Sequence, residues 1–195
     1  KPIAARQQAA AIIEEEVRRL SITLEDLLRY ARPRAPEKKR VDVVTVCESA
    51  AARALHVGGP MHGRVVAVVR TIDAGTTFAF VDEGQVQQVL LNLVQNAAQA
   101  GARRVDLVIE IRSDAIAVVI VDDGPGIASE MRDKLFLPFA TTKQRGTGLG
   151  LAASRRLARD NGGDLVYVAD ATGADRGARF ALTLPKDSNV SQERA

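Results

Sequence analysis

The chain has 195 residues, of which 46% are hydrophobic, enough for one compact domain with an extension. A formal net charge of +3 would suit nucleic acid, but only 4% of residues are aromatic and no groove-reading or stacking motif occurs. We therefore predict no nucleic-acid partner. The single cysteine, Cys47, excludes a disulfide framework, and with two poorly placed histidines it also excludes a zinc site. No apolar run approaches membrane-spanning length.

The first thirty residues carry a helical repeat of apolar side chains. The repeat steps by four and three through Ile13, Val17, Leu20, Leu24, Leu27 and Ala31, which predicts a long helix over residues 4–30. One helix cannot bury such a seam alone, so we expect it to pack on another chain as a homodimer or in nonspecific association. Residues 33–40, with two prolines and a basic cluster, are typical of a linker.

The remaining segments alternate between strand and helix patterns without the regularity of βαβ units. Helices are predicted over 45–55, 82–100 and from 149, and strands over 64–70, 77–81, 103–111, 116–121, 165–168 and 178–184. This pattern predicts an α+β fold, an α/β sandwich with a mixed sheet and helices packed on one face, plus the N-terminal long helix. The predicted domain spans 41–187, and residues 188–195 are predicted to be a disordered tail after the helical segment 1–32 and the linker.

The helix over 82–100 has one apolar face and one face of amides. Val86, Leu90, Leu93, Ala97 and Ala100 define the first face, while Gln85, Gln88, Asn92, Asn96 and Gln99 line the second. Amides offer oxygen to a hard cation and N–H groups to phosphate. The alternative is a solvated face, although such faces are normally rich in Glu and Lys.

Two glycine-rich segments follow. The apolar run over 115–121 ends at Asp122, Asp123, Gly124, Pro125 and Gly126, so a predicted strand stops at a carboxylate. A carboxylate accepts hydrogen bonds only and therefore suits the exocyclic amino group of adenine, although an ordinary Asp-Gly turn is the alternative. Further on, Gly146, Thr147, Gly148, Leu149 and Gly150 open a helix, where free N–H groups can seat a phosphate or form only a flexible loop. Neither the P-loop string nor GxGxxG fits there.

In order and spacing these motifs resemble the ATP-binding catalytic domain of sensor histidine kinases, in the GHKL superfamily with its Bergerat fold. The resemblance covers roughly residues 11–187. The N box is similar to residues 87–100, the G1 box to 122–126, the F box to Phe136 and Phe139, and the G2 box to 146–150. The short lid over 137–147 resembles that of the nitrogen-regulation type, and residues 1–32 resemble the second helix of a dimerisation hairpin.

The resemblance implies a set of site residues. Asn96 would coordinate magnesium, Asn92 would lie by the phosphates, and Asp122 would bind the adenine amino group. The ATP-binding set would be Asn92, Asn96, Asp122, Gly124, Gly126, Thr141, Thr142, Lys143, Arg145, Gly146, Thr147, Gly148, Leu149 and Gly150. ATP and Mg²⁺ are thus the expected cofactors, and the need for ATP implies that this portion is cytoplasmic.

Asn92 bears on the reaction. Relatives that hydrolyse ATP carry a glutamate four residues before the metal-binding asparagine, and here that residue is an amide, which cannot act as a general base. An imidazole acceptor is already nucleophilic near neutral pH. We therefore expect a protein-histidine kinase that transfers the γ-phosphoryl group to a histidine not present in this chain, for onward transfer to a response-regulator aspartate. The alternative is a degenerate kinase, a nucleotide-gated interaction module that binds ATP without phosphotransfer.

Several departures from the family pattern accompany this resemblance. An H box is absent, because His56 and His62 stand among glycines and are predicted to be loop or surface residues. The expected partners are a histidine-bearing dimerisation domain and a response-regulator receiver domain. Gln99 stands where many of these kinases have Lys or Arg, so Lys143 and Arg145 are the candidates for the missing charge. Ala178 stands where a hydroxyl usually helps to hold adenine.

Overall fold

The computed structural model describes residues 34–56, 58–70, 75–143, 146–169 and 177–187, together with 13–14, 16–17, 24 and 27–28. Arg145, the predicted tail over 188–195, and Leu20 and Ala31 of the predicted seam lie outside the described residues.

The described domain contains seven strands and four helices. In chain order they are β1 (Lys39–Asp42), α1 (Val43–Leu55), β2 (Val65–Arg70), β3 (Phe78–Val81), α2 (Glu83–Gln99), β4 (Arg104–Ile111), β5 (Ala115–Asp122), α3 (Ser129–Arg132), α4 (Gly150–Asp160), β6 (Asp164–Tyr167) and β7 (Arg179–Pro185). Every predicted strand and helix of the domain is present. None of the described helices has both the length and the apolar character that a membrane crossing needs.

The strands form two sheets. Five of them make a mixed sheet in the order β2-β4-β5-β7-β6, in which β2 and β4 are parallel and the other neighbours antiparallel. β1 and β3 pair antiparallel as a separate two-stranded sheet. The predicted α/β sandwich with a mixed sheet is therefore confirmed.

The core lies between the large sheet and the long helices. On α2 the buried positions include Val86, Leu90, Leu93 and Ala97, as the repeat predicts, while Ala100 is exposed at the helix C-cap. Alternate residues of β5, Ile116, Val118 and Ile120, face the same core. The amide face of α2 therefore points away from the core and is accessible to a ligand.

Two short elements were not predicted. β1 takes in Lys39 and Arg40, the last residues of the predicted linker, because Lys39 pairs with Val81 and Asp42 with Phe78 across the sheet. Its pattern is mostly polar, so nothing local marks it as a strand. α3 has only four residues and no buried side chain. β1 therefore owes its place to a strand distant in sequence.

Asp82 ties together three segments that frame the site. Its side chain caps α2 by accepting from the Gln85 amide at 3.0 Å, and it also accepts from the Glu37 amide at 2.8 Å. Its own amide donates to Asn161 Oδ1 at 2.7 Å, at the end of α4. Burial alone would raise the pKa of Asp82, but these hydrogen bonds and Arg34 outweigh burial and hold the pKa below its usual value. The start of α2 and the end of α4 are thus held in fixed relation.

The described residues of the N-terminal segment are helical. Ile13, Val17, Leu24 and Leu27 of the predicted seam are exposed, Leu27 by 41% and Ile13 by 63%. The seam therefore presents apolar surface rather than packing on the domain at these positions.

Candidate functional site: the asparagine face of α2, the loop after β5 and the start of α4

Asn92 of α2 lies beside the start of α4. Asn92 Nδ2 donates to Ser154 Oγ at 2.8 Å, and Ser154 is 3% exposed. A Cβ at Gly150 would lie 2.8 Å from Asn92 Oδ1, so the side chain packs directly against the opening of α4. The structure therefore brings Asn92 and the glycine-rich helix entry together, as a phosphate site requires.

The opening of α4 supplies backbone donors. The helix begins at Gly150, its N-cap Leu149 provides no side-chain cap, and the first acidic residue within the helix is Asp160 at its far end. The first amides of a helix have no intrahelical acceptor and carry the positive end of the helix dipole. This turn can therefore bind an anion next to Asn92.

Asp122 ends β5 on the face that the helices cover. It follows Ile116, Val118 and Ile120 at alternate positions, all of which face the core. Asp122 Oδ1 accepts from the amides of Gly124 at 2.8 Å and Ala178 at 3.1 Å. Burial raises the pKa of Asp122, the two amide hydrogen bonds oppose that rise, and the neighbouring Asp123 adds to it.

These bonds orient the Asp122 carboxylate. Both of these amide donors bind Oδ1, so neither of them occupies the second oxygen, Oδ2. Gly177 makes the arrangement possible: its φ is +86°, and a Cβ there would lie 1.7 Å from the carbonyl oxygen of Asp122. An aligned, partly buried acceptor is what recognition of an amino group needs.

A groove of about 550 Å³ opens beside this loop, a size usual for small-molecule sites. It is lined by Val121, Pro125, Gly126, Ile127, Ala128, Ser129, Arg132, Tyr167, Val168, Gly177, Ala178 and Arg179. Among the described residues, the lining includes neither Asp122, nor α2, nor the lid over 137–147. The groove is therefore separate from the place where Asp122 and α2 would hold a nucleotide.

The two phenylalanines of the predicted F box have different environments. Phe136 is half-buried, with its ring 6.4 Å from that of Phe180 and the Arg155 guanidinium 4.8 Å above it. Phe139 is 66% exposed and has a φ of 66°, the left-handed region that non-glycine residues rarely adopt. Phe136 therefore anchors the start of the lid, and the chain turns sharply at Phe139.

Gly148 packs against that turn. Its φ is +68°, and a Cβ there would lie 2.4 Å from the carbonyl carbon of Phe139. Both the backbone conformation and the space exclude a side chain. Gly148 therefore holds the two ends of the lid together.

Replacing Gly148 with alanine is expected to displace the lid and lower the affinity for ATP at least about tenfold, because the left-handed conformation and the backbone clash cost on the order of 2 kcal/mol. The matched control is Gly84→Ala, at an exposed position of α2 outside the proposed site, where a Cβ would meet only Asp82 Oδ1 at 3.4 Å, and it should leave the affinity for ATP unchanged. Titration calorimetry, with circular dichroism to verify folding, measures both variants. Equal affinities for the two variants would contradict the assigned role of Gly148.

Lys143 reaches from the lid to α2. Its Nζ donates to Asn96 Oδ1 at 3.1 Å and to Gln99 Oε1 at 2.7 Å. Partial burial of the ammonium lowers the pKa of Lys143, although the residue as a whole is exposed. Lys143 thus connects the lid to Asn96, the candidate metal ligand, and to Gln99, which stands where the family pattern has a basic residue.

The other predicted site residues lie in the same two loops. Thr141 Oγ1 accepts from the Lys143 amide at 3.1 Å, and Thr147 Oγ1 accepts from the Leu149 amide at 3.4 Å. Thr142 is exposed, and Gly126 has a φ of 79° in the turn after β5. These residues shape the two loops.

Other parts of the amide face serve the fold instead. Gln85 donates to the Arg34 carbonyl at 2.9 Å and accepts from Asn161 Nδ2 at 2.8 Å. His56 follows α1 and His62 lies in a turn, and both are exposed, so their prediction as loop or surface residues is confirmed. Cys47 is buried, and burial raises the pKa of its thiol to about 12, so it is not reactive.

Two contributors were missed in the sequence. Ser154 lies one helical turn after Gly150, and that i to i+4 spacing on a glycine-opened helix could have indicated it. The amide of Ala178 supports Asp122 through its main chain, which no side-chain pattern marks.

Comparison with known proteins shows which family the chain resembles. Residues 81–188 match the family model described as histidine kinase-, DNA gyrase B- and HSP90-like ATPase. The chain is 33% identical over 189 residues to the signal transduction histidine-protein kinase AtoS of Escherichia coli K12, covering 95% of this chain and 30% of AtoS. It is 30% identical to the sensory histidine kinase/phosphatase NtrB of Rhodobacter capsulatus, covering 89% of this chain and 51% of NtrB.

Among solved structures, the catalytic domain of the histidine kinase ThkA superposes with a TM-score of 0.64 at 26% identity, covering 77% of this chain and 96% of that domain. ThkA has also been solved with the response regulator protein TrrA, and that kinase shares the fold of this chain at a TM-score of 0.70, covering 90% of this chain and 50% of the kinase.

The fold and the site thus define a nucleotide-binding domain of the α/β-sandwich class. The chain belongs to the histidine kinase-, DNA gyrase B- and HSP90-like ATPase family, and its domain is of the sensor histidine kinase type. It spans about a third to a half of the length of AtoS and NtrB.

Proposed function

We propose that this chain binds ATP with magnesium and transfers the γ-phosphoryl group to a histidine of a protein substrate. The observation that carries the proposal is the placement of Asn92 against the opening of α4, with Asn96 one turn further along α2 and bound to Lys143 of the lid. Phosphoryl transfer is mainly a matter of positioning the phosphates and neutralising their charge, and these groups provide both.

Adenine would bind at Asp122. Its Oδ1 is taken by two backbone amides, so Oδ2 would accept the hydrogen bond of the amino group. Guanine has a carbonyl at that position and would be repelled by the carboxylate. With alanine at position 178, the main chain there supports the carboxylate, and no side-chain hydroxyl contributes.

Asn96 fits a magnesium site. A carboxamide oxygen is a ligand that hard cations accept, and Asn96 Oδ1 already receives a cationic group, the ammonium of Lys143, at 3.1 Å. Asn96 would hold the ion together with phosphate oxygens and water. Bound magnesium would neutralise charge on the phosphates during transfer.

The absence of a carboxylate at position 92 supports histidine as the acceptor. Asn92 is an amide whose NH₂ is held by Ser154, so it cannot take a proton from water or from a hydroxyl group. A neutral imidazole nitrogen needs no such help. Asn92 instead helps to hold the phosphates near α4.

The proposed partners follow from this chemistry. The acceptor histidine would belong to a dimerisation domain, and a response-regulator receiver domain would take the phosphoryl group onward, as the naming of AtoS and NtrB as histidine kinases and the ThkA–TrrA complex support. The exposed apolar residues Ile13, Val17, Leu24 and Leu27 support a homodimer formed through the N-terminal helix. Because ATP is a cytoplasmic metabolite, we place this part of the protein in the cytoplasm.

The chain incubated with γ-labelled ATP, magnesium and a separate hairpin domain carrying an H box should label that hairpin on histidine. The label should be acid-labile and alkali-stable, and a hairpin with the histidine replaced by glutamine should stay unlabelled. The chain alone should release phosphate no faster than buffer, because the amide of Asn92 cannot act as a base.

Tight ATP binding without labelled histidine would contradict the proposal and favour a nucleotide-gated module that changes shape without chemistry. Steady phosphate release by the chain alone would contradict the role given to Asn92 and favour an ATPase.

A further inference from the structure

The hydrogen bonds of the charged Lys143 side chain are made with neutral amide groups. The ammonium of Lys143 is held by the carbonyl oxygens of Asn96 and Gln99, which are three residues apart on one face of α2. Among the described residues, no carboxylate lies within ion-pair distance of this lysine. The charge is thus balanced by dipoles alone and is available to a stronger acceptor such as phosphate.

The same contact conflicts with a metal ion. A magnesium ion on Asn96 Oδ1 would lie about 2 Å from the oxygen that already accepts from Lys143. Two cations within a few ångströms of each other on one oxygen repel strongly. Lys143 and the ion therefore compete for Asn96.

Gln99 is what makes the lysine position favourable. Its contact with Lys143 Nζ is the shorter of the two, at 2.7 Å, and a lysine or arginine at position 99 would repel the ammonium. An amide at 99 and a lysine at 143 are therefore complementary partners on two segments that lie 44 residues apart in the chain.

We propose that Lys143 is a latch that holds the lid on α2 until magnesium and ATP displace it from Asn96, whereupon its ammonium moves to the γ-phosphate. The proposal rests on the proposed function. Breaking the hydrogen bonds of Lys143 to Asn96 and Gln99 lowers the affinity for any nucleotide. Only ATP has a γ-phosphate, whose contact with Lys143 offsets that loss. The latch therefore lowers the affinity for both nucleotides, and the contact of the freed Lys143 with the γ-phosphate favours ATP over ADP. Gln99 lowers nucleotide affinity without touching the nucleotide.

The latch predicts opposite effects of one substitution on two nucleotides. With Lys143→Met, the affinity for ADP with magnesium should rise about fivefold and that for ATP should fall about fivefold, since a charged hydrogen bond to phosphate exceeds one to an amide. With Gln99→Leu, both affinities should rise by a similar factor of about three. Titration calorimetry on the same chain measures all four values.

Two controls separate the latch from a general effect. Gln88→Leu makes the same change at an exposed amide of α2 and should leave both affinities unchanged. Gln99→Leu should add nothing for ADP in a Lys143→Met background. Hydrogen exchange of the unliganded protein should speed up over residues 137–143 in the Gln99→Leu variant, with α4 unaffected.

Equal weakening of ATP and ADP by Lys143→Met would overturn the latch and leave a simple phosphate contact. An unchanged Gln99→Leu variant would overturn it as well. If the wild-type chain binds neither nucleotide, the latch and the proposed function both fail. If the opposite effects occur without any labelled histidine, the latch stands and the proposed kinase reaction fails.

Discussion

Replacing Asp122 with asparagine will weaken ATP binding by about 10- to 100-fold, the loss expected when an acceptor for a buried amino group becomes a donor. The substitution keeps the size of the side chain and keeps an oxygen that can accept from the amides of Gly124 and Ala178. The loop should therefore fold as before. What changes is the atom presented to adenine, because an amide NH₂ would face the NH₂ of the purine.

The neighbouring carboxylate provides the matched control. Asp123 is exposed, and its Oδ1 accepts from the amides of Arg103 and Arg104 at 2.8 and 2.9 Å, so it serves the turn. Asp123→Asn should retain ATP affinity within about twofold, as expected for an exposed surface position. Calorimetry on both variants is the measurement. An Asp122→Asn protein with wild-type affinity would remove the adenine assignment.

The second large effect is expected at Asn96. Asn96→Ala should reduce transfer to a histidine-bearing hairpin by at least about 100-fold, because the ligand that positions magnesium against the phosphates is lost. Binding of ATP without magnesium should change much less, since the purine contacts remain. The single-turnover rate of hairpin labelling, measured over a range of magnesium concentrations, tests this expectation.

Gln95→Ala is the control for that substitution, because Gln95 is the adjacent exposed amide on α2. It should transfer at the wild-type rate. An Asn96→Ala protein that transfers at the wild-type rate and with the same magnesium dependence would show that the ion is held elsewhere.

The parts of the site that are predictable from the sequence are those with a strong local pattern. The apolar repeat places Asn92 and Asn96 on the accessible face of α2, and the buried strand that ends at Asp122 places its carboxylate at a sheet end. Gly148 and Gly150 mark the opening of α4 because a tight turn and a close approach leave no room for side chains there.

The contacts between these elements are not predictable in the same way. Ser154 holds Asn92 across 62 residues, and Lys143 reaches Asn96 across 47. The periodicity of one helix contains no information about which helix or loop it will meet. Gln99 illustrates the consequence: by sequence it is a missing positive charge, and in the structure it is the acceptor for one.

The fold shows the same division. The mixed sheet and the helix layer follow from alternation and helical repeat, whereas β1 is a strand only because β3 lies beside it. Asp82 looks like an ordinary helix cap, but it also binds the Glu37 amide and, through its own amide, the side chain of Asn161. Hydrogen bonds between residues so far apart in sequence depend on the complete tertiary structure.

The measurement that bears most directly on the nucleotide site is calorimetric titration of the folded wild-type chain with ATP in the presence of magnesium, repeated with GTP. We expect a heat of binding with one ATP per chain, and binding of GTP weaker by about tenfold or more because its carbonyl would face Asp122. No heat with ATP, or equal affinity for both nucleotides, would contradict the site described for Asp122, Asn96 and α4.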